Sequence, residues 1–119
     1  MIATVEEIRN GDTIVFSNGC ELYADHNQDC CESHYLDFEH VDMRDFEGLE
    51  FDLSGDSFFK RIEDYGIALI PIKGYDVKIP GYGSNNGYYS ANLSLVLVDK
   101  ENEFTKEFDI SECQDVQWQ

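Results

Sequence analysis

The architecture this sequence predicts is an α+β fold, predominantly antiparallel β-sheet in a hairpin meander, with one or two short helices. Three observations point there. The dipeptides Asn10-Gly11 and Asn18-Gly19 separate short strand-like runs, and Asn-Gly suits the positive backbone angles of tight hairpin turns. The second half alternates polar and apolar residues over Tyr75 to Ile79 and carries a long strand candidate from Tyr88 to Asp99. Finally, 119 residues with 42% hydrophobic and 13% aromatic content are enough for one folded domain, 1–119, with a core that needs no disulfides.

The elements follow in chain order. Thr4 to Arg9, Asp12 to Ser17 and Glu21 to Asp25 form a three-stranded meander, which leaves His26 at the end of its third strand and 27–33 as the loop beyond. Tyr35 to Glu39 returns as a strand with Tyr35, Asp37 and Glu39 on one face and Leu36 and Phe38 on the other. Val41 to Phe46 makes a helical turn ending at Gly48, and Phe58 to Tyr65 fits a short helix or a strand equally. Ile67 to Ile72 is an apolar strand that Pro71 places partly at an edge or bulge. Pro80 to Gly87 reads as a long glycine-rich connection. Phe104 to Ile110 pairs with the Tyr88–Asp99 strand, and Ser111 opens a last helical turn as its cap.

Charge narrows the function classes. There are 25 acidic against 8 basic residues, a formal net charge of −17. Thirteen of the acids lie between Asp25 and Asp64, opposed there by Arg44, Lys60 and Arg61, whereas Pro71 to Val98 holds Asp76 against Lys73 and Lys78. One strongly negative face and one near-neutral face are expected. Such a field repels nucleic acid, whose phosphates dominate its own binding, and steers a basic protein inward. The competing reading is that the acids only keep the protein soluble. Acids two apart on a strand, Asp37 with Glu39 or Glu107 with Asp109, would point the same way about 6.6 Å apart and could stand in for a row of phosphates. The partner-binding candidates are therefore Asp37, Glu39, Asp42, Asp45 and Glu47, with Tyr82 on an exposed loop tip as the aromatic contact.

The densest chemical signal is the run from His26 to His34, which holds Cys30, Cys31 and both of those histidines in nine residues. Thiolate and neutral imidazole are the side chains that hold zinc best. His26 at a strand end, a thiolate from Cys30 or Cys31, and His34 would converge on one metal, zinc being the expected cofactor, with Asp29 as a further ligand or a histidine-orienting group. The alternative is a buried Cys31 and a His26 that caps a loop. Cys20 and Cys113 read as small buried hydrophobes, and the thiols as reduced, since no basic segment followed by a long apolar run opens the chain. That start, and the shortness of the Ile67–Ile72 apolar run, predict a soluble, cytoplasmic protein.

Two stretches carry a resemblance. Tyr23 to Glu32, with His-Asn-Gln-Asp-Cys-Cys-Glu at its end, is similar to the His-x-Gln-Asp-Cys-Cys-Glu signature of a family of small bacteriophage and prophage proteins. Asn85 to Ser90 resembles the same family's Asn-Gly-Tyr-Tyr-Ser motif, in the same order and separation. The resemblance implies an acidic, metal-binding inhibitor of the type II CRISPR RNA-guided DNA endonuclease, an anti-CRISPR protein of the host bacterial cytoplasm. That nuclease holds nucleic acid in positively charged channels, which an acidic inhibitor suits.

Other classes leave thinner traces. No phosphate-binding glycine loop or nucleophile elbow is present, so an enzyme is not expected. A small zinc-dependent hydrolase would need Glu32 as its general base. A protein that sequesters a small defence-signalling ligand would need a phosphate site, for which Lys60-Arg61 is the available pair.

Overall fold

The computed structural model describes residues 1–26, 32–87 and 91–118. The chain runs β1 (Ile2–Ala3), β2 (Val5–Arg9), β3 (Thr13–Phe16), β4 (Glu21–Asp25), β5 (Ser33–Leu36), two 3-10 turns (Phe38–His40 and Met43–Phe46), β6 (Phe51–Asp52), β7 (Phe59–Ile62), β8 (Gly66–Leu69), β9 (Val77–Asn85), β10 (Ser94–Asp99), β11 (Phe104–Asp109) and β12 (Asp115–Trp118). One five-stranded sheet has the order β11-β10-β4-β3-β2; a second has the order β12-β9-β8-β7, with β5 also paired to β9; β1 and β6 form a small third pair.

The β2-β3-β4 meander forms as the sequence predicts. Asn10 (φ 55°) and Gly11 (φ 70°) both take positive φ in the first turn, closed by Asp12 N–H donating to Arg9 O at 3.1 Å. The second turn is different: Gly19 is at φ 87° but Asn18 keeps negative φ, and its side chain instead accepts from Cys20 N–H at 3.1 Å. The extra residue loosens a two-residue hairpin into a bulged one.

Three expectations are corrected. Among the described residues there is no α-helix, so the protein is mostly β rather than α+β. The stretch expected as a glycine-rich connection is the second half of a nine-residue strand, β9, and Tyr82 lies on that strand, not on a loop tip. Tertiary pairing overrides the turn propensity of Gly81 and Gly83 because each lies where a Cβ would collide, with Cys113 O and with His34 respectively. The end of the chain is β12, parallel to β9 with Asp115 opposite Tyr82 and Trp118 opposite Asn85, and not a helical turn.

Both sheets feed one core. Ile14, Phe16, Leu22, Leu95 and Leu97 come from the first, and Ile67, Leu69 and Ile79 from the second, with Phe38, Phe51, Leu53 and Phe58 filling between them. Phe16 and Phe51 meet edge-on at 6.1 Å, and Phe58 and Phe59 both pack on Phe108. Truncating one such buried ring costs about 3–5 kcal/mol. Cys20 and Cys113 are free thiols at 0% exposure within this core. No helix among the described residues is long and apolar enough to cross a membrane.

Candidate metal centre

Buried polar side chains are costly unless satisfied, so where they gather is informative. Among the described residues five polar or charged side chains are buried: Glu32, His34, Asn85, Asp99 and Gln114. All except Asp99 meet at one end of the β5-β9-β12 sheet, where they are joined by His26.

Strand pairing builds this place. β9 bonds β5 on one edge and β12 on the other, in registers that set His34 opposite Gly83 and Val116 opposite Gly83. Alternation along β5 turns His34 inward between the exposed Ser33 and Tyr35. His26 follows directly on β4 and enters from the first sheet. Ligand atoms of His26, Glu32 and His34 all lie within 4.8 Å of one another, and the two imidazole rings meet edge-on with centroids 4.6 Å apart.

Hydrogen bonds fix which nitrogen faces the centre. Gln114 Nε2 donates to Ala91 O (2.7 Å) and Ser111 O (2.9 Å), which aims its Oε1 at His34 Nδ1, 2.7 Å away. His34 Nδ1 must therefore carry the proton, and its Nε2 accepts from Asn85 Nδ2 at 3.1 Å. Asn85 Nδ2 also reaches Glu32 Oε2 at 3.4 Å. His26 Nδ1 donates to the Asn92 backbone oxygen and lies 2.9 Å from Asn92 Oδ1, which turns its Nε2 onto Glu32 Oε1 at 2.9 Å. An imidazole lone pair facing a carboxylate oxygen at that distance is repulsive unless a positive species, a proton or a metal cation, lies with them. Each histidine thus has its Nδ1 tied to a protein oxygen, while Nε2 of His26 faces Glu32 and Nε2 of His34 faces the Asn85 amide that also reaches Glu32. This is how histidines are oriented from behind when they ligate a metal.

Gly83 makes the arrangement sterically possible. A Cβ on it would overlap the His34 ring and come 2.7 Å from Gln114 Oε1.

Of the residues expected to hold metal, His26 and His34 are brought together, while Cys30 and Cys31 lie outside the described residues. Glu32, read from sequence only as a possible base, is 4% exposed and belongs to the cluster itself. Asn85, Asn92 and Gln114 were not foreseen, although Asn85 and Asn92 flank the Asn-Gly-Tyr-Tyr-Ser motif. Glu32 and Asn85, one at the edge of each resembling stretch, therefore meet in space, and Tyr88, Tyr89 and Ser90 lie outside the described residues. The other two thiols are no substitute ligands. Burial, then the Glu112 charge, pushes the Cys113 thiol up to about 11, and burial with Asp99 raises that of Cys20.

The partner-binding candidates are dispersed among local duties. Asp37 does not continue a strand; it caps the first 3-10 turn by accepting from Glu39 N–H at 3.0 Å, so Asp37 and Glu39 do not form a strand row. Asp42 and Asp45 form a reciprocal capping box on the second 3-10 turn, and Glu47 closes that turn. Glu39, Asp42, Asp45 and Glu47 are all exposed, and Tyr82, 38% exposed, packs on Tyr35 across the β5–β9 pair at 5.9 Å. Glu107 and Asp109 do share the outward face of β11. Lys60 pairs with Asp76 at 3.2 Å while Arg61 bonds Asp109 O at 2.9 Å, so the two cations engage different neighbours.

No known protein family, curated protein or solved structure matches the chain.

Proposed function

We propose that this chain is an acidic, metal-holding binding protein, not an enzyme, that docks onto and blocks a basic nucleic-acid-handling protein. The motif resemblance implies the type II CRISPR RNA-guided endonuclease as that partner. The observation that carries the reading is the buried convergence of His26, Glu32 and His34, with both histidines held through Nδ1. Two imidazoles and a carboxylate suit zinc, and the adjoining Cys30 or Cys31 would supply a fourth ligand of the kind that closed structural sites use. A metal there would tie the end of β4 to β5 and secure the β5-β9-β12 sheet, so that metal affinity becomes folding energy. The net charge of −17 supports a basic partner in a positively charged groove over nucleic acid itself.

The test adds purified, metal-analysed protein to the reconstituted endonuclease and follows DNA cleavage. Near-stoichiometric zinc is expected, together with inhibition that weakens as salt rises. Reversal of Glu39 and Glu47 to Lys, whose side chains cap nothing, should weaken inhibition severalfold with little change in melting temperature. Adding reversal of Asp37, Asp42 and Asp45 should weaken it at least tenfold while also lowering the melting temperature, because those three cap the 3-10 turns. Zinc-supplemented protein that is no more stable than the chelated form, or cleavage untouched at micromolar protein, overturns the metal and the partner respectively.

A further inference from the structure

Behind the metal centre lies a cavity of about 290 Å³ whose wall includes Trp118, Asp64, Glu112 and Asp115, with Gln114 and Ala91 adjoining. Trp118 is the chain's one tryptophan and is 63% exposed, an unusual place for the side chain that gains most from burial. Along β12, Gln114, Val116 and Trp118 alternate to one side of the strand, so the indole borders the same space as the amide that orients His34.

The carboxylates come from separate parts of the chain. Asp64 occupies the turn between β7 and β8 at φ 61°, with its N–H donating to Glu112 O at 2.9 Å, which brings the two acidic residues side by side. Asp115 opens β12. Arg61 comes to 3.8 Å of Glu112, and Asp64 has no ion pair among the described residues. An aromatic wall beside carboxylates is complementary to a cation that is both planar and weakly hydrated. Guanidinium fits that description better than ammonium, because it stacks on a ring face and binds carboxylate through two donors at once.

We propose that this cavity receives an arginine side chain of the basic partner, stacked on Trp118 and paired with Asp64 and Glu112. The inference rests on the reading that the chain docks onto a basic protein, and it names the docking point. Gln114 links the cavity to the metal centre: its amide bonds Ala91 O and Ser111 O on the cavity side, and its oxygen holds His34. The metal centre therefore helps to hold the wall that the arginine meets.

Nona-arginine and nona-lysine peptides are the probes, titrated against the metal-loaded protein with Trp118 fluorescence and amide chemical shifts as readouts. Nona-arginine should bind at least threefold more tightly than nona-lysine, shift the indole signal and perturb Asp64 and Glu112. Trp118→Ala should abolish the arginine preference. Asp64→Asn with Glu112→Gln should weaken nona-arginine at least tenfold, against less than threefold for Glu101→Gln with Glu103→Gln, which removes the same charge at the β10–β11 turn. Equal weakening by the two pairs, or a preference that survives Trp118→Ala, overturns the cavity. Binding of both peptides with no movement of cavity residues overturns the cavity and leaves the basic-partner reading standing. Binding of neither peptide overturns both.

Discussion

Two buried carboxylates, Asp99 and Glu32, meet the cost of burial in opposite ways. Asp99, at 2% exposure, is satisfied from its own turn: Asn102 N–H donates at 3.0 Å and Asn102 Nδ2 at 2.8 Å, three residues on. Glu32, at 4%, draws partners from elsewhere, with His26 six residues back and Asn85 fifty-three residues on. Around it His34 reaches eighty residues to Gln114, and His26 sixty-six to Asn92. A local cap forms as soon as its turn forms and serves that turn. A charge assembled from four distant segments orders those segments only after they have paid their loop-closure entropy, so it stabilises little unless something binds there. The contrast separates a folding device from a site.

The sharpest way to break the comparison is at Gly83. Gly83→Ala would push a methyl group into His34 and Gln114, and overpacking of this kind costs about 1–3 kcal/mol. Metal affinity should fall with it, because the His34 ring must turn away from Gln114 Oε1. Chemical denaturation and zinc titration of the variant check both effects. Normal stability with normal zinc affinity would mean that the His34–Gln114 contact orients nothing.

A second pair of variants sharpens it. Glu32→Gln removes the anionic member of the centre while keeping its shape. The metal-free protein should unfold at the same midpoint or a higher one, and the metal-dependent gain, about 4 kcal/mol at a thousandfold excess over Kd, should vanish. Asp99→Asn should lower the midpoint by a few degrees equally with and without metal. Thermal melts of both variants, with zinc and with chelator, decide the matter. If Glu32→Gln destabilises the chelated protein as much as the loaded one, the cluster is a structural network and no metal site.

How much was legible follows the same divide between local and distant. The β2-β3-β4 meander and the β10–β11 hairpin could be read because their pairing partners are neighbours in sequence and Asn10-Gly11 announces its turn. β12 could not: a parallel strand pairs with one thirty-three residues earlier and has no turn signal of its own. β9 was misread at Gly81 and Gly83, where glycine marks close approach of other groups and not a turn. At the site, His26 and His34 stood out because they fall within nine residues of each other. Gln114 gave no sign, since a lone glutamine near a chain end resembles any surface residue until the fold places it at 2% exposure. The acid-rich stretch was legible as charge, yet Asp37, Asp42 and Asp45 are there partly as caps, a use that clustering alone conceals.

The smallest expected effect lies in the acid limb of the stability curve. Asn102, through its side chain first and then its backbone N–H, holds the Asp99 carboxyl below its ordinary value, and Ser111 does the same for Asp109. A carboxyl whose folded pKa is depressed binds fewer protons folded than unfolded. Its contribution is therefore complete above the ordinary aspartate value, about 3.9, and is lost as pH falls through the folded value. The intact protein should lose stability steadily below about pH 4. Asp99→Asn has no such proton to take up and should show a shallower acid limb, although its neutral-pH midpoint is already lower. Urea midpoints at half-unit steps from pH 5 to pH 3, on chelated protein so that loss of any bound metal does not intrude, measure the two slopes. Parallel curves would mean that Asp99 is held equally well protonated or not. Its cap would then depend on shape and not on charge, and the contrast with Glu32 would have to rest on geometry alone.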